Sequence, residues 1–395
     1  MTEQIAPGGI KSGVAAGFIA LMVAMGIGRF LYTPLLPLML IEYGLRADQA
    51  GLLASLNFIG YLAGAFCAGH LCHRYGEYRV LAAGLIFSTA TTAATGLFTT
   101  FSLVALARLI AGTASGLAFV AVSGLVLLII ARDGRENLTG LYYGGVGGGI
   151  VLTGLAALPT AHLFGAGGAW ILFGGLSALL SAVVLLLLRR HAEPSHADVP
   201  VKHPFPRQPR FLRLVIAYGL EGFGYIITGT FMVAAALATV GPSGAHLAWV
   251  VAGCAALPSA FLWSIAARRW GRLKPLMAAF FLQAAGILLP AALPGALPVV
   301  TGALLFGATF MGIVNLALSD GASYLPGARS RIVGLMTGVY GVGQILGPAL
   351  AGYFSARTGN FRLALMIAAV TVVAAGALLI PDAFRPPLPE QKPPR

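Results

Sequence analysis

Apolar stretches set the rhythm of this chain, and polar residues only punctuate them. Runs that are apolar all round, bounded by charges or turn residues, fall near 14–41, 48–71, 80–99, 102–130, 137–163, 168–188, 212–238, 246–267, 275–293, 298–319, 332–355 and 361–380. Each is near the ~20 residues that cross about 30 Å of hydrocarbon. None carries only the single apolar stripe of a surface helix. The pattern predicts an all-α integral membrane protein with twelve transmembrane helices, called spans 1 to 12 below.

Composition agrees. Of 395 residues 58% are hydrophobic and 9% charged, and the mean hydropathy is +0.87. A soluble domain needs about a quarter of its residues charged, so soluble enzymes, secreted disulfide scaffolds and nucleic-acid binders are excluded. The three cysteines, Cys67, Cys72 and Cys254, have no metal-ligand spacing and read as small core residues. Lys11 before an apolar run invites a signal peptide, but the run continues to about Ile41 with no small-x-small cleavage site at the right distance, so it is kept as span 1.

The net charge of +13 matters through its placement. Lys11, Arg74, Arg79, Arg132, Arg135, the basic residues from Arg189 to Arg213, Arg268, Arg269, Arg272, Lys274, Arg329, Arg331, Arg385, Lys392 and Arg395 lie in the tails or in loops after even-numbered spans. The opposite loops hold Arg46, Arg357 and Arg362. This positive-inside bias predicts that both termini and the central loop are cytoplasmic.

The stretch His191 to Arg210 is rich in Pro, His and charge and reads as a linker. It divides the chain into an N-terminal six-helix bundle (1–190), a cytoplasmic linker (191–209) and a C-terminal six-helix bundle with a cytoplasmic tail (210–395). The halves match at an offset of about 195. Arg74-Tyr75-Gly76 with Arg79 matches Arg269-Trp270-Gly271 with Lys274. Gly140, Gly144, Gly147 and Gly149 match Gly334, Gly338, Gly341 and Gly343, and Gly26-x-Gly28 matches Gly222-x-Gly224. A duplicated unit predicts two pseudo-symmetric bundles about an axis along the membrane normal, with a cleft between them.

The loop after span 2, from Gly69 through Arg74-Tyr75-Gly76 to Arg79, resembles the signature loop of the major facilitator superfamily. It departs from that signature at His73, where Asp is expected, and at Glu77 and Tyr78, where a basic pair is expected. Arg108 with Gly112 and Gly116 in span 4 is similar to the buried-arginine motif of proton-linked members. Gly334, Gly343 and Gly347-Pro348 in span 11 resemble an antiporter glycine and proline spacing, in the other half. Span 1, Gly26-Ile27-Gly28-Arg29-Phe30 through Pro34 and Pro37, with Gly222-Phe223-Gly224-Tyr225 in span 7, is similar to the YbfB/YjiJ-type branch. The resemblance implies the major facilitator fold and a secondary transporter of the bacterial inner membrane.

Four formal charges fall within or at the edge of spans: Arg29, Arg108, Glu221 and Asp320. A charge at the bilayer centre costs roughly 2.5–3.5 kcal/mol on insertion scales and survives mostly where it faces a partner or a wet cavity. Arg29, near two prolines expected to break the helix, could grip a carboxylate or phosphate. The alternatives are a permanent ion pair or a cap on freed carbonyls. Glu221 aligns with Met25, one helical turn from Arg29, which aims it and Arg29 at one cleft from opposite bundles. A carboxylate that gains and loses such a partner would couple transport to protons, whereas a static pair and a cation site remain open readings. Arg108 would assist anion binding, bond backbone or pack helices, and Asp320 reads as a solvated loop-closing residue. Asn57, Tyr61, Tyr142, Tyr143, Tyr225, Asn315 and Gln344 are cleft candidates that could equally be interhelical glue.

His70 and His73 read as a wetted helix end more readily than as a metal pair, and no metal or cofactor is expected. The glycine-dense segment 140–154 fails as a dinucleotide loop because no strand precedes it. With Arg74, Gly76, Gly144, Gly148, Gly343 and Pro348, its glycines are instead candidates for gating, letting one bundle rock on the other.

The sequence reading is therefore a monomeric, proton-coupled carrier of a small organic anion or zwitterion, partnered by substrate, protons and lipid and by no nucleic acid. Its alternative is a proton-driven exporter of amphipathic cations. An intramembrane enzyme lacks any nucleophile-and-base set at membrane depth.

Overall fold

The computed structural model describes residues 9–135, 138–189, 205–325 and 329–384. Among the described residues, ten helices are long and apolar enough to cross a membrane. The first crossing is made of α1 (Gly9–Leu21), a wide π-helical stretch (Met22–Phe30) and α2 (Tyr32–Glu42). Then come α3 (Ala47–Tyr75), α4 (Glu77–Leu97), α5 (Phe101–Arg132), α6 (Thr139–Leu188), α7 (Pro209–Trp270), α8 (Leu273–Ala292), α9 (Ala296–Ser323), α10 (Arg329–Thr358) and α11 (Arg362–Ala383).

Two of these are double. Gly165 (φ 71°) interrupts α6 and Gly241 (φ 69°) interrupts α7, positions where only glycine turns the backbone without strain. The limbs 139–164 and 166–188, and 209–240 and 242–270, complete the twelve spans of the sequence pattern within a few residues at each end. Left-handed glycines recur by pairs at the repeat offset, Gly44 with Gly241, Gly76 with Gly271 and Gly165 with Gly359, so the two halves turn at equivalent places.

The first span departs from α-helix one turn before Pro34, in the π-helical turns that hold Arg29 and end at Phe30, whose carbonyl Pro34 has no N–H to bond. Two expectations are corrected. The cysteines are not core: Cys67 and Cys254 are exposed and Cys72 half-buried, which an apolar solvent permits. Asp320 is 7% exposed rather than solvated, tucked at the end of α9 near Arg210 and Arg272. Most of the linker, including His191, His196 and His203, and the tail bearing Arg385, Lys392 and Arg395 lie outside the described residues.

Helices approach at glycines. A Cβ at Gly112 would overlap the backbone oxygen of Asn57, and one at Gly116 that of Tyr61, which locks α5 onto α3. Between the halves, α3 runs along α10 and the 139–164 limb along the 242–270 limb. Large apolar side chains such as Phe66, Leu97, Leu163, Leu186 and Val370 remain exposed on the outside, as lipid requires.

Candidate functional site

The two halves meet at the end opposite the termini through a set of polar contacts. Thr33 Oγ1 donates to the carbonyl of Gly229 (2.5 Å), and His246 Nε2 lies 3.0 Å from the carbonyl of Pro34. Ser55 donates to the carbonyl of Ile345 (2.6 Å). Trp249 Nε1 reaches Thr153 Oγ1 at 3.4 Å. Gly51 packs directly against the carbonyl of Pro348.

Arg29 lies toward the middle of the chain's first crossing, from this contact inward, at 4% exposure. Its guanidinium carbon stands 4.2 Å from the ring centres of both Phe58 and Tyr61. Nη1 approaches Met25 Sδ at 3.9 Å, a weak acceptor. Nε and Nη2, which form one edge of the guanidinium, have no hydrogen-bond partner. Charge stacked on aromatic faces is stabilised, yet an unpaired donor edge inside a membrane protein is costly to leave unmade. That edge has the two-pronged geometry that fits a carboxylate or phosphate.

Arg108 serves the backbone. At 2% exposure it donates from Nη1 to the carbonyl of Gly28 (3.2 Å), in the π-helical stretch before Arg29. It also lies 4.9 Å from the ring of Tyr32 and 5.6 Å from that of Trp170. Its own carbonyl accepts from Asn57 Nδ2 at 2.9 Å. Its Nη1 thus bonds backbone, one of the roles open to it from sequence, while its Nε has no partner, and Asn57 Nδ2 bridges α3 and α5.

From the C-terminal half, Tyr225 faces Arg29 and Tyr61 within electrostatic reach. Its hydroxyl accepts from Gln344 Nε2 (2.6 Å). Its ring lies nearly parallel to Tyr340, Phe306 and Phe310 at 5.5, 6.4 and 5.9 Å. At the 196-residue offset that equates Gly26 with Gly222, Tyr225 is the counterpart of Arg29, so the two equivalent positions confront each other across the cleft.

Glu221 does not pair with Arg29. It is fully buried, its two oxygens are unpartnered, and the polar side chain beside it is Gln283 of α8. Glu221 occupies the place of Met25, one turn before the Arg29-equivalent Tyr225 on the same face of α7, and lies beside Gln283 of α8.

The other candidates scatter. Tyr142 bonds Ser123 (2.7 Å) and packs on Gly17 inside the N-terminal half, while Asn315 bonds Ser264 (2.8 Å) between α9 and α7. Tyr143 stacks obliquely on Tyr142 at 4.7 Å. Gly144 and Gly148 lie against Leu257 and Phe18, and Gly343 against Gly219 and Phe223. Gly76 caps α3 with φ 82°, and Arg74 is exposed over the ring of Tyr75. Phe58, Tyr340, Phe306, Phe310, Thr33, His246 and Gln283 were not singled out from sequence. Gln283, a lone amide in an apolar span, carried the clearest missed signal.

Multiple span-length apolar helices in two repeated halves, closing on a buried cation and an aromatic wall, define a multi-pass membrane protein with the architecture of a transporter. The chain belongs to the family described as "Uncharacterised MFS-type transporter YbfB", whose profile matches residues 21–380. It is 27% identical over 368 residues to the uncharacterised MFS-type transporter YceJ of Bacillus subtilis (strain 168), covering 87% of this chain and 90% of that one. It is 25% identical over 166 residues, 42% of this chain and 38% of the other, to a probable 4-methylmuconolactone transporter of Cupriavidus pinatubonensis. In fold it is similar to the nucleoside transporter NupG (TM-score 0.78, 14% identity, covering 94% of this chain and 100% of that one). It is also similar to a bacterial homologue of the lysosomal transporter Spinster (TM-score 0.72, 16% identity, 96% and 98% covered).

Proposed function

We propose that this transporter carries a small organic anion or zwitterion by alternating access, driven by protons. It sits in the bacterial inner membrane as a monomer with both termini cytoplasmic. The observation that carries the reading is the open Nε and Nη2 edge of Arg29 between two aromatic rings. The anionic group docks on that edge, and Tyr225 with Gln344 closes on it from the other half. Glu221, one turn from Tyr225 on α7, takes up and releases the proton and acts on the cleft through that shared helix. The sequence has no nucleotide-binding motif, which favours an ion gradient as the energy source.

The partial similarity to a probable 4-methylmuconolactone transporter supports a small organic cargo. The test is a thermal-shift screen of the purified protein against carboxylates, amino acids, phosphorylated metabolites and lipophilic cations, with Arg29→Ala alongside. Ligands that bind the folded state raise its melting temperature. A shift with anions that Arg29→Ala abolishes is expected. The aromatic wall of Tyr225, Tyr340, Phe306 and Phe310 favours the second reading, export of amphipathic cations. A shift with lipophilic cations that persists in Arg29→Ala would establish it instead.

A further inference from the structure

The C-terminal bundle contains a set of buried polar atoms that the cleft does not use. Glu221 Oε1 and Oε2, Gln283 Nε2 and Oε1, and Thr228 Oγ1 are all buried with no hydrogen bond within 3.5 Å, and Glu221 and Gln283 stand close enough to interact with each other. Glu221 and Gln283 are 0% exposed and Thr228 2%. Each such atom costs roughly 1–3 kcal/mol if left unmade, so a concentration of five on facing helices points to groups that work on water or an ion.

The positions share one seam. On α7, residues 221, 225, 228, 232, 235 and 239 recur at helical spacing on one face, with Tyr225 also reaching the cleft, and on α8 residues 283, 286 and 290 do the same. The two helices run in the same direction, so Gln283 is level with Glu221 and Gly286 lies a turn beyond it. From there a cavity of about 30 Å³ opens, lined by Thr228, Met232, Thr239, Gly286, Pro290 and Leu365 among others. That is more than one water needs. The cavity runs toward the end opposite the termini, where Thr239 is exposed.

The titratable and polar groups that face Glu221 are Tyr218 and Tyr225 of α7, Tyr340 of α10 and Gln283 of α8. On the α11 side, Val372 and the backbone of Ala368 press on Gly224. Tyr225 stacks on Tyr340 at 5.5 Å and lies within electrostatic reach of both Glu221 and Arg29.

We propose that Glu221 exchanges protons through this seam, from Thr239 past Thr228 and Gln283. The proton comes from water at the end opposite the termini and passes over the cavity and the Thr228 hydroxyl. It ends on one Glu221 oxygen, converting carboxylate to carboxylic acid, and the reverse step returns it. This rests on Glu221 as the proton-coupling residue.

Infrared spectroscopy of the full chain in lipid nanodiscs tests it without a substrate. The carboxyl band is assigned by its disappearance in Glu221→Gln, and its hydrogen–deuterium exchange is timed after a jump into deuterated buffer. Thr228→Val, which removes the hydroxyl at nearly constant shape, and Ala303→Val, which narrows the cavity, should each slow exchange about tenfold, the effect of roughly 1.4 kcal/mol on a barrier. Exchange at the wild-type rate in both folded variants overturns the seam and leaves Glu221 as the proton site. If no band is lost in Glu221→Gln, Glu221 does not hold the proton, and both readings fall.

Discussion

Thr33 and Gly229 stand 196 positions apart, the offset that equates Gly26 with Gly222, and the hydroxyl of one bonds the carbonyl of the other at 2.5 Å. Two equivalent positions can touch only where the repeat axis passes between them, so this bond marks the pseudo-two-fold axis at the end opposite the termini. A transporter must part its halves here to open that side. Thr33→Val removes a bond worth about 1 kcal/mol net, so the open population should rise about fivefold. Spin-label distances between Ile41 and Ala238, both exposed, read that change; an unaltered distribution shows that the bond does not hold the gate.

Arg29→Lys keeps the charge and loses the fork. If the Nε and Nη2 edge grips the anion, affinity for an anion found in the thermal-shift screen falls about 10- to 100-fold, the scale of charged hydrogen bonds. Retained affinity in the lysine variant would mean that charge alone suffices and the edge is idle.

Arg108→Ala should act on the fold before it acts on binding. It deletes the bond to Gly28 and the packing against Tyr32 and Trp170, a loss of roughly 2–4 kcal/mol. The ligand-free melting temperature drops, and the anion-induced shift survives in protein that remains folded. The opposite pattern would return Arg108 to the binding site.

Two glycines make a paired test of helix contact. Gly112→Ala drives a methyl into the backbone of Asn57 and should destabilise by about 1–3 kcal/mol. Gly175→Ala meets open space and should be neutral or gain up to about 1 kcal/mol of helix propensity. Melting temperatures of the two variants decide it.

Near the terminal-side ends of α7 and α11, Arg213 forms a two-pronged pair with Asp382 at 2.6 and 2.7 Å, and Asp382 is 2% exposed. Removing the arginine alone strands a buried carboxylate. Arg213→Ala should therefore be less stable than Arg213→Ala combined with Asp382→Asn. Equal stabilities would make the pair a surface ornament.

The architecture was legible in the sequence because a bilayer leaves the chain few choices. Every backbone polar group must be satisfied within a segment, so apolar runs of span length become helices, and the repeat of Gly76 and Gly271 or Gly26 and Gly222 announces two equivalent halves. The same reasoning located Arg29 and Glu221, since charge in such a setting is expensive. Tertiary structure decided what each one faces. The repeat offset equates Arg29 with Tyr225 and Met25 with Glu221, and the folded chain set Gln283 of α8 beside Glu221. Packing likewise turned Arg108 to a carbonyl and Glu221 to Gln283. Hydropathy and spacing carry the address of a residue along its helix; only the neighbours that the folded chain sets against it determine whether it meets a substrate, a proton or another helix.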